Sequence, residues 1–279
     1  MFSRLKYKVF HWLLAEHRKK YRSVRHHHIN EALLKAALNG LGILNYQSFE
    51  ETGEQHLLTR LLGEAPEGAT VCDVGANIGN YSRSCLGINP ALDVHAFEPH
   101  PESFGKLAAL AGELGFRAIN QGCSSETGEA ELFDYSENQG SSHASLHAEV
   151  IENIHQADSA PRTIQLTTLD QYCASQGIEH IHLLKVDTEG HELAVLQGAE
   201  GLIARGAIEH LQFEFNEMNL VSRSFLKDFR AALPGYRFYR LLPDGLLSLD
   251  DYSSHQSYLT EIFAFQNILA SRRELPPGS

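Results

Sequence analysis

From residue 69 to residue 233 short apolar runs alternate with helix-like segments, and that alternation restricts the fold more than any other property of the sequence. Residues 69–74, 93–97, 116–120, 182–186 and 210–215 read as strands. Residues 80–86, 101–114, 168–175, 192–204 and 225–233 read as helices, with Pro99 and Pro101 as start signals for the second. Strands and helices at this spacing form βαβ units, and βαβ units require a mostly parallel sheet covered on both faces. The end of the chain differs. Residues 236–242 and 258–266 are β-like with no helix between them, the pattern of antiparallel strands at one sheet edge. At the other end, residues 1 to about 60 are helical. Phe2, Leu5, Val9, Trp12 and Leu13 recur at three- and four-residue steps, and Gly40 and Gly42 end the pattern. The expected class is α/β, with an antiparallel C-terminal edge and an N-terminal helical extension.

With 279 residues, 43% of them apolar, the chain suits one large domain or one domain plus an extension, and general disorder is excluded. No apolar run approaches the roughly 18 residues of a membrane-spanning helix, since even residues 9–14 contain His11. Arg18, Lys19, Lys20 and Arg22 fall where a signal peptide needs small residues, so cytoplasmic residence is expected. The net charge of -12 conceals a split: residues 1–25 carry +7 and the remainder -19. An acidic body repels phosphate backbones, so no nucleic-acid partner is expected. Cys72, Cys85, Cys123 and Cys173 are widely spaced and read as reduced, buried thiols. Three adjacent histidines, His26 to His28, cannot all face one ion from a helix and read as a solvated turn.

The string Val71-Cys-Asp-Val-Gly-Ala-Asn-Ile-Gly-Asn-Tyr-Ser82 falls where a first strand turns into a first helix, the crevice in which open α/β sheets bind ligands. Gly75 and Gly79 let backbone approach a ligand, and Asn77 tolerates a left-handed conformation. Nineteen residues after Gly79, Glu98 ends the second strand, where a carboxylate can accept hydrogen bonds from both ribose hydroxyls. A dinucleotide loop has the spacing G-x-G-x-x-G, whereas here it is D-x-G-x-N-x-G. Asp73 would oppose a pyrophosphate but suits a sulfonium and an amino-acid tail, so S-adenosylmethionine fits better than NAD(P).

A second string, Leu183-Leu-Lys-Val-Asp-Thr-Glu-Gly-His-Glu192, brings Asp187, Glu189 and His191 to the C-terminal end of the fourth apolar run. With D-V-G-A-N-I-G at 73–79, F-E-P at 97–99, K-V-D-T-E-G-H-E at 185–192 and L-Q-G-A at 196–199, the sequence resembles the FkbM family of S-adenosylmethionine-dependent methyltransferases. The resemblance spans about residues 45–266; it divides the chain into a basic helical extension, 1–44, and a methyltransferase domain, 45–279. It implies a Rossmann-like class I methyltransferase fold with a mostly parallel seven-stranded sheet, and methyl transfer to a hydroxyl of a sugar, glycan or natural product. It also implies that Asp73, Gly75, Asn77, Gly79 and Tyr81 line the methionine side, Glu98 the ribose, and Cys123 and Ser124 the adenine. Glu54, in a helix before the first strand, either covers the cofactor or is an ordinary exposed glutamate.

An alcohol nucleophile needs its proton removed, and imidazole is the side chain most naturally tuned for that. His191 is the candidate base, with Asp187 or Glu189 orienting it or binding acceptor hydroxyls. The bland alternative is a helix start with Thr188 as N-cap. Asp187, Glu214 and Asn216 could hold Mg²⁺, but adjacent carboxylates also serve carbohydrate hydrogen bonding, and metal is not the favoured reading. A nicotinamide-dependent oxidoreductase and a non-catalytic binding module are the rival functions. Acceptor specificity is expected in residues 135–161, 216–223 and 243–257. The basic arm, residues 1–25, either contacts the inner face of an anionic membrane or packs on the domain or on a second subunit.

Overall fold

A computed structural model describes residues 4–135, 144–146, 149–150 and 159–276. Two helices, α1 (Arg4–Tyr21) and α2 (His27–Gly40), precede α3 (Glu54–Leu62), after which the sheet begins. In chain order follow β1 (Thr70–Val74), α4 (Asn80–Ile88), β2 (Asp93–Phe97), α5 (Pro101–Leu114), β3 (Arg117–Ile119), β4 (Gly122–Cys123), β5 (Gly128–Tyr135) and β6 (Ser159–Thr167). Then come α6 (Leu169–Gln176), β7 (Ile181–Val186), α7 (Glu192–Gln197), α8 (Glu200–Ala204), β8 (Ile208–Phe215), α9 (Met218–Val221) and α10 (Leu226–Ala232). The chain closes with β9 (Arg237–Leu242), β10 (Gly245–Ser248) and β11 (Gln266–Ser271).

The main sheet has the order β10-β9-β11-β8-β7-β1-β2-β3, parallel from β8 to β3 and antiparallel from β8 to β10. Helices cover both faces, so β1, β7 and β8 are buried almost throughout, and their Val, Ile, Leu and Phe side chains supply the core. Phe213 stacks on Phe229 of α10 with ring centroids 4.4 Å apart. Three polar residues interrupt this apolar centre at one register level: Asp73 of β1, Lys185 of β7 and Gln212 of β8 are direct cross-strand neighbours.

Four sequence expectations need correction. The sheet has eight strands, because β10 forms a hairpin with β9 outside the seven expected. The second C-terminal strand is 266–271, not 258–266, and it lies inside the sheet between β8 and β9. Its polar start is accommodated: Arg240 Nε donates to Gln266 (2.7 Å) and Gln212 Nε2 to Asn267 (3.1 Å). The expected helix 192–204 is two helices. A Cβ on Gly198 would stand 1.9 Å from the carbonyl oxygen of Ser124, so the chain turns there to let the β4 exit pass. Finally, β4, β6 and β5 form a second, three-stranded sheet, and none of its strands is among those expected from periodicity.

Candidate active site

The two glycines of the first turn are required by close approach. Gly75 has φ +83°, and a Cβ on it would lie 1.8 Å from the carbonyl oxygen of Asp187, so the β1–α4 turn and the end of β7 meet backbone to backbone. Gly79 has φ +87° with Leu107 and Leu110 of α5 pressed against it. Asn77 has φ +49°, the left-handed conformation asked of it. Its backbone N–H donates to Glu98 Oε2 (2.9 Å), and the N–H of His100 donates to Glu98 Oε1 (2.7 Å). The Glu98 carboxylate is thereby fixed at the end of β2, with a second lone pair on each oxygen left for a ligand. Burial pushes its pKa up to about 7, outweighing the two backbone hydrogen bonds. The side-chain oxygen of Asn77 is buried with no hydrogen-bond partner among the described residues.

Gly75, Asn77, Glu98, Cys123, Asp187, Glu189 and His191 line one pocket, together with Leu132 and Ile164 of the second sheet and Ala144 and Leu146. Asp73, Gly79, Tyr81, Ser124, Glu214 and Asn216 lie outside that lining. Asp73 accepts a 2.6 Å hydrogen bond from Ser82, and burial raises its pKa to about 6. The Tyr81 hydroxyl donates to Gln212 (2.7 Å). Of residues 135–161, where acceptor specificity is expected, only 135, 144–146, 149–150 and 159–161 lie within the described residues.

Lys185 received no role in the sequence reading, yet it organises this edge. It is 3% exposed, and its Nζ stands 3.1 Å from Asp187 Oδ2, 3.9 Å from Glu54 Oε1 and 5.7 Å from the centre of the Tyr81 ring. Those carboxylates raise its pKa against the opposing effect of burial. Glu54 is thus no free surface glutamate: it opens α3 and also accepts from Gln212 Nε2 (2.7 Å). A lone cation inside Leu-Leu-Lys-Val was the signal available for Lys185.

The turn after β7 is held by Glu192. Its Oε1 accepts from the N–H of Thr188 (3.0 Å), the Thr188 hydroxyl (3.2 Å) and the N–H of Gly190 (3.0 Å). Thr188 is therefore not the cap of α7; His191 occupies that position and makes no side-chain cap bond. Glu189 between them takes φ +52°, a left-handed conformation uncommon for a residue other than glycine, and burial together with Asp187 and Glu192 raises its pKa. His191 Nε2 lies 2.9 Å from Ser124 Oγ, so the candidate base and a residue expected at the adenine are in contact. Of the Mg²⁺ candidates, Asn216 spends its oxygen on the N–H of Met218 (2.8 Å) and its amide on Glu214. Among the described residues no three His, Cys, Asp or Glu side chains are arranged to hold a metal ion.

A mostly parallel α/β sheet carrying a glycine turn after β1, a carboxylate at the end of β2 and an acidic edge after β7 is a Rossmann-like arrangement. The chain belongs to the FkbM methyltransferase family, since the family model described as the methyltransferase FkbM domain matches residues 73–238. Over 148 residues the chain is 31% identical to the hexuronic acid methyltransferase AglP of Haloferax volcanii, covering 52% of this chain and 56% of that protein. Over 164 residues it is 29% identical to the methyltransferase sdnD of Sordaria araneosa, covering 50% and 63%. Over 187 residues it is 21% identical to the 2-O-methyltransferase NoeI of Sinorhizobium fredii, covering 63% and 75%. The chain thus matches between about half and two thirds of the length of the first two of these relatives.

Proposed function

We propose that this protein transfers a methyl group from S-adenosylmethionine to a hydroxyl of a sugar, glycan or related natural product. The observation that carries the proposal is the Glu98 carboxylate fixed against the Gly75–Asn77 turn, both lining one pocket. The residues present suit the cofactor. Glu98 would accept the ribose hydroxyls, the orphaned Asn77 oxygen awaits a donor, and the apolar wall of Cys123, Leu132 and Ile164 suits a purine. Asp73, Glu54 and Asp187 give the methionine end the negative surroundings that a sulfonium and an ammonium favour. The printed names of AglP and NoeI, one a hexuronic acid methyltransferase and the other a 2-O-methyltransferase, support a carbohydrate hydroxyl as acceptor. Family membership favours this reading over a nicotinamide-dependent oxidoreductase.

When bound, the cofactor supplies a methyl group already activated by its sulfonium, so the protein's part is to position an in-line attack and to take up the hydroxyl proton. His191 is the proposed base, with Ser124 fixing its ring. Asp187, held by Lys185, and Glu189 would bind the acceptor's hydroxyls. The 2.9 Å contact with Ser124 favours one alternative, in which His191 reads the adenine and Asp187 takes the proton. Kinetics of His191→Ala separate the two. A base predicts turnover lowered roughly 10²- to 10⁴-fold at nearly unchanged cofactor affinity; an adenine contact predicts weakened cofactor affinity instead.

The division into a basic extension, 1–44, and a methyltransferase domain, 45–279, belongs to the same proposal. Residues 41–44 are its joint, since a Cβ on Gly42 would meet the Leu241 carbonyl at 2.4 Å and Leu44 donates to the carbonyl of Phe265 (2.8 Å).

A further inference from the structure

Large apolar side chains left in solvent are concentrated on the first two helices. On α1, Val9, Phe10, Trp12, Leu13 and Leu14 are between 42% and 62% exposed, and α2 buries no residue and exposes Leu33 and Leu34. The i, i+3, i+4 spacing gathers Val9, Trp12 and Leu13 into one stripe, and Phe10 and Leu14 form a second about a third of a turn round the helix. Lys8, His11, Ala15 and Arg18 form the opposite stripe, and Lys19, Lys20, Arg22 and Arg25 follow within two turns. All of these cations, Lys8, Arg18, Lys19, Lys20, Arg22 and Arg25, are exposed, and Glu16, the single acid of residues 1–25, pairs with Lys19 (2.7 Å).

We propose that the α1–α2 pair docks this protein on an anionic lipid surface. Three observations carry it. An exposed Trp-Leu-Leu run backed by Lys and Arg is the constitution of a helix lying in a bilayer interface. Each cation near an anionic bilayer adds attraction, so the +7 arm is complementary in charge to an anionic lipid surface. Among the described residues no helix is long and apolar enough to cross a membrane, so the contact is peripheral. The arm's root lies at the functional edge. Leu41 accepts from Arg240 Nη1 (3.4 Å), and Arg240 to Leu242 end β9 on the side where β8 ends, because Gln266 pairs with Phe215. Three strand spacings separate β9 from β7, about 14 Å. A bilayer under the arm therefore borders the cleft, which suits an acceptor carried on lipid, although the docking itself depends on neither cofactor nor acceptor.

Trp12 is the only tryptophan, so its emission reports directly on the arm. Full-length protein titrated with phosphatidylglycerol-containing vesicles is expected to co-sediment and to shift its emission to the blue, with pure phosphatidylcholine vesicles giving much less. The Arg18→Gln, Lys19→Gln, Lys20→Gln, Arg22→Gln variant should lose roughly 10²- to 10³-fold in partitioning, and 0.5 M salt should act in the same direction. Circular dichroism and S-adenosylhomocysteine binding verify that this variant is folded. Unchanged emission and no co-sedimentation of folded protein would overturn the proposal. So would a concentration-dependent blue shift without vesicles and a dimer dissolved by Trp12→Glu, which would make the apolar stripe an interface between copies.

Discussion

Glu98 and Asp73 are carboxyls that the fold pushes toward the neutral form, up to about 7 and about 6, because burial costs the charge more than their hydrogen bonds return. The ligand-free protein therefore holds protons that the unfolded chain releases, and its stability should fall as pH rises from about 4 to 7, read as a declining Tm. Ribose hydroxyls and an ammonium favour the ionised carboxylates, so the sign for binding is opposite. S-adenosylhomocysteine affinity should rise between pH 6 and pH 8, and Glu98→Gln should weaken it about 10- to 100-fold at pH 8 and flatten that rise. Calorimetric titration at the two pH values measures both. A pH-independent affinity in the wild type would remove Glu98 from the ribose. Lys185 behaves as the counterweight of the same edge. Replacing it by Met leaves Asp187, Glu54 and Glu214 crowded without their cation, which should cost about 3–5 kcal/mol near neutral pH and less at pH 5, where protons take the cation's place. Chemical denaturation at both pH values tests the direction. The sequence displayed Glu98 and Asp187 because each follows an apolar run, and Asp73 because it opens the D-x-G-x-N-x-G string. It concealed Lys185 and Gln212 because they sit inside such runs, and only register reveals that they stand side by side.

The elements that shape the cleft are turns whose geometry is dictated by backbone contact. Gly75→Ala would drive a methyl group into the Asp187 carbonyl at a positive φ, and a loss of at least about 2 kcal/mol with abolished cofactor binding is expected. The β7–α7 turn depends on Glu192 in a different way, through three hydrogen bonds from Thr188 and Gly190. Glu192→Ala strands those buried donors, so about 1–3 kcal/mol of stability should be lost and turnover should fall more than cofactor affinity. Equal losses in both would mean that the turn serves the cofactor alone. The βαβ elements were legible from periodicity, and two others were not. The second sheet does alternate, with Glu129 and Glu131 outward while Ala130 and Leu132 are more enclosed, and Thr163 and Gln165 outward around Ile164. Its strands are separated by a polar stretch long enough to disguise them as one loop. The aromatic residues of 258–265 imitated a strand, whereas the real one begins with Gln266 and Asn267, whose burial is made tolerable by partners from β9 and β8 that no local window contains.

At the level of the whole molecule, the charge changes sign after residue 25, and packing against the core begins at residues 41–44. The -19 portion follows the +7 arm, and α1 and α2 place no residue in the core clusters. Deleting residues 1–25 should therefore shift Tm by less than about 2 °C, whereas substituting Ile43, fully buried at the joint, by Ala should cost about 2–5 kcal/mol. The central claim concerns what the crevice between β1 and β2 holds. Calorimetric titration of the full-length protein with S-adenosylmethionine, S-adenosylhomocysteine and NAD(H) tests it most directly. Saturable, one-to-one binding of the two sulfur ligands and none of NAD(H) is the expected result; binding of NAD(H) alone would contradict the account.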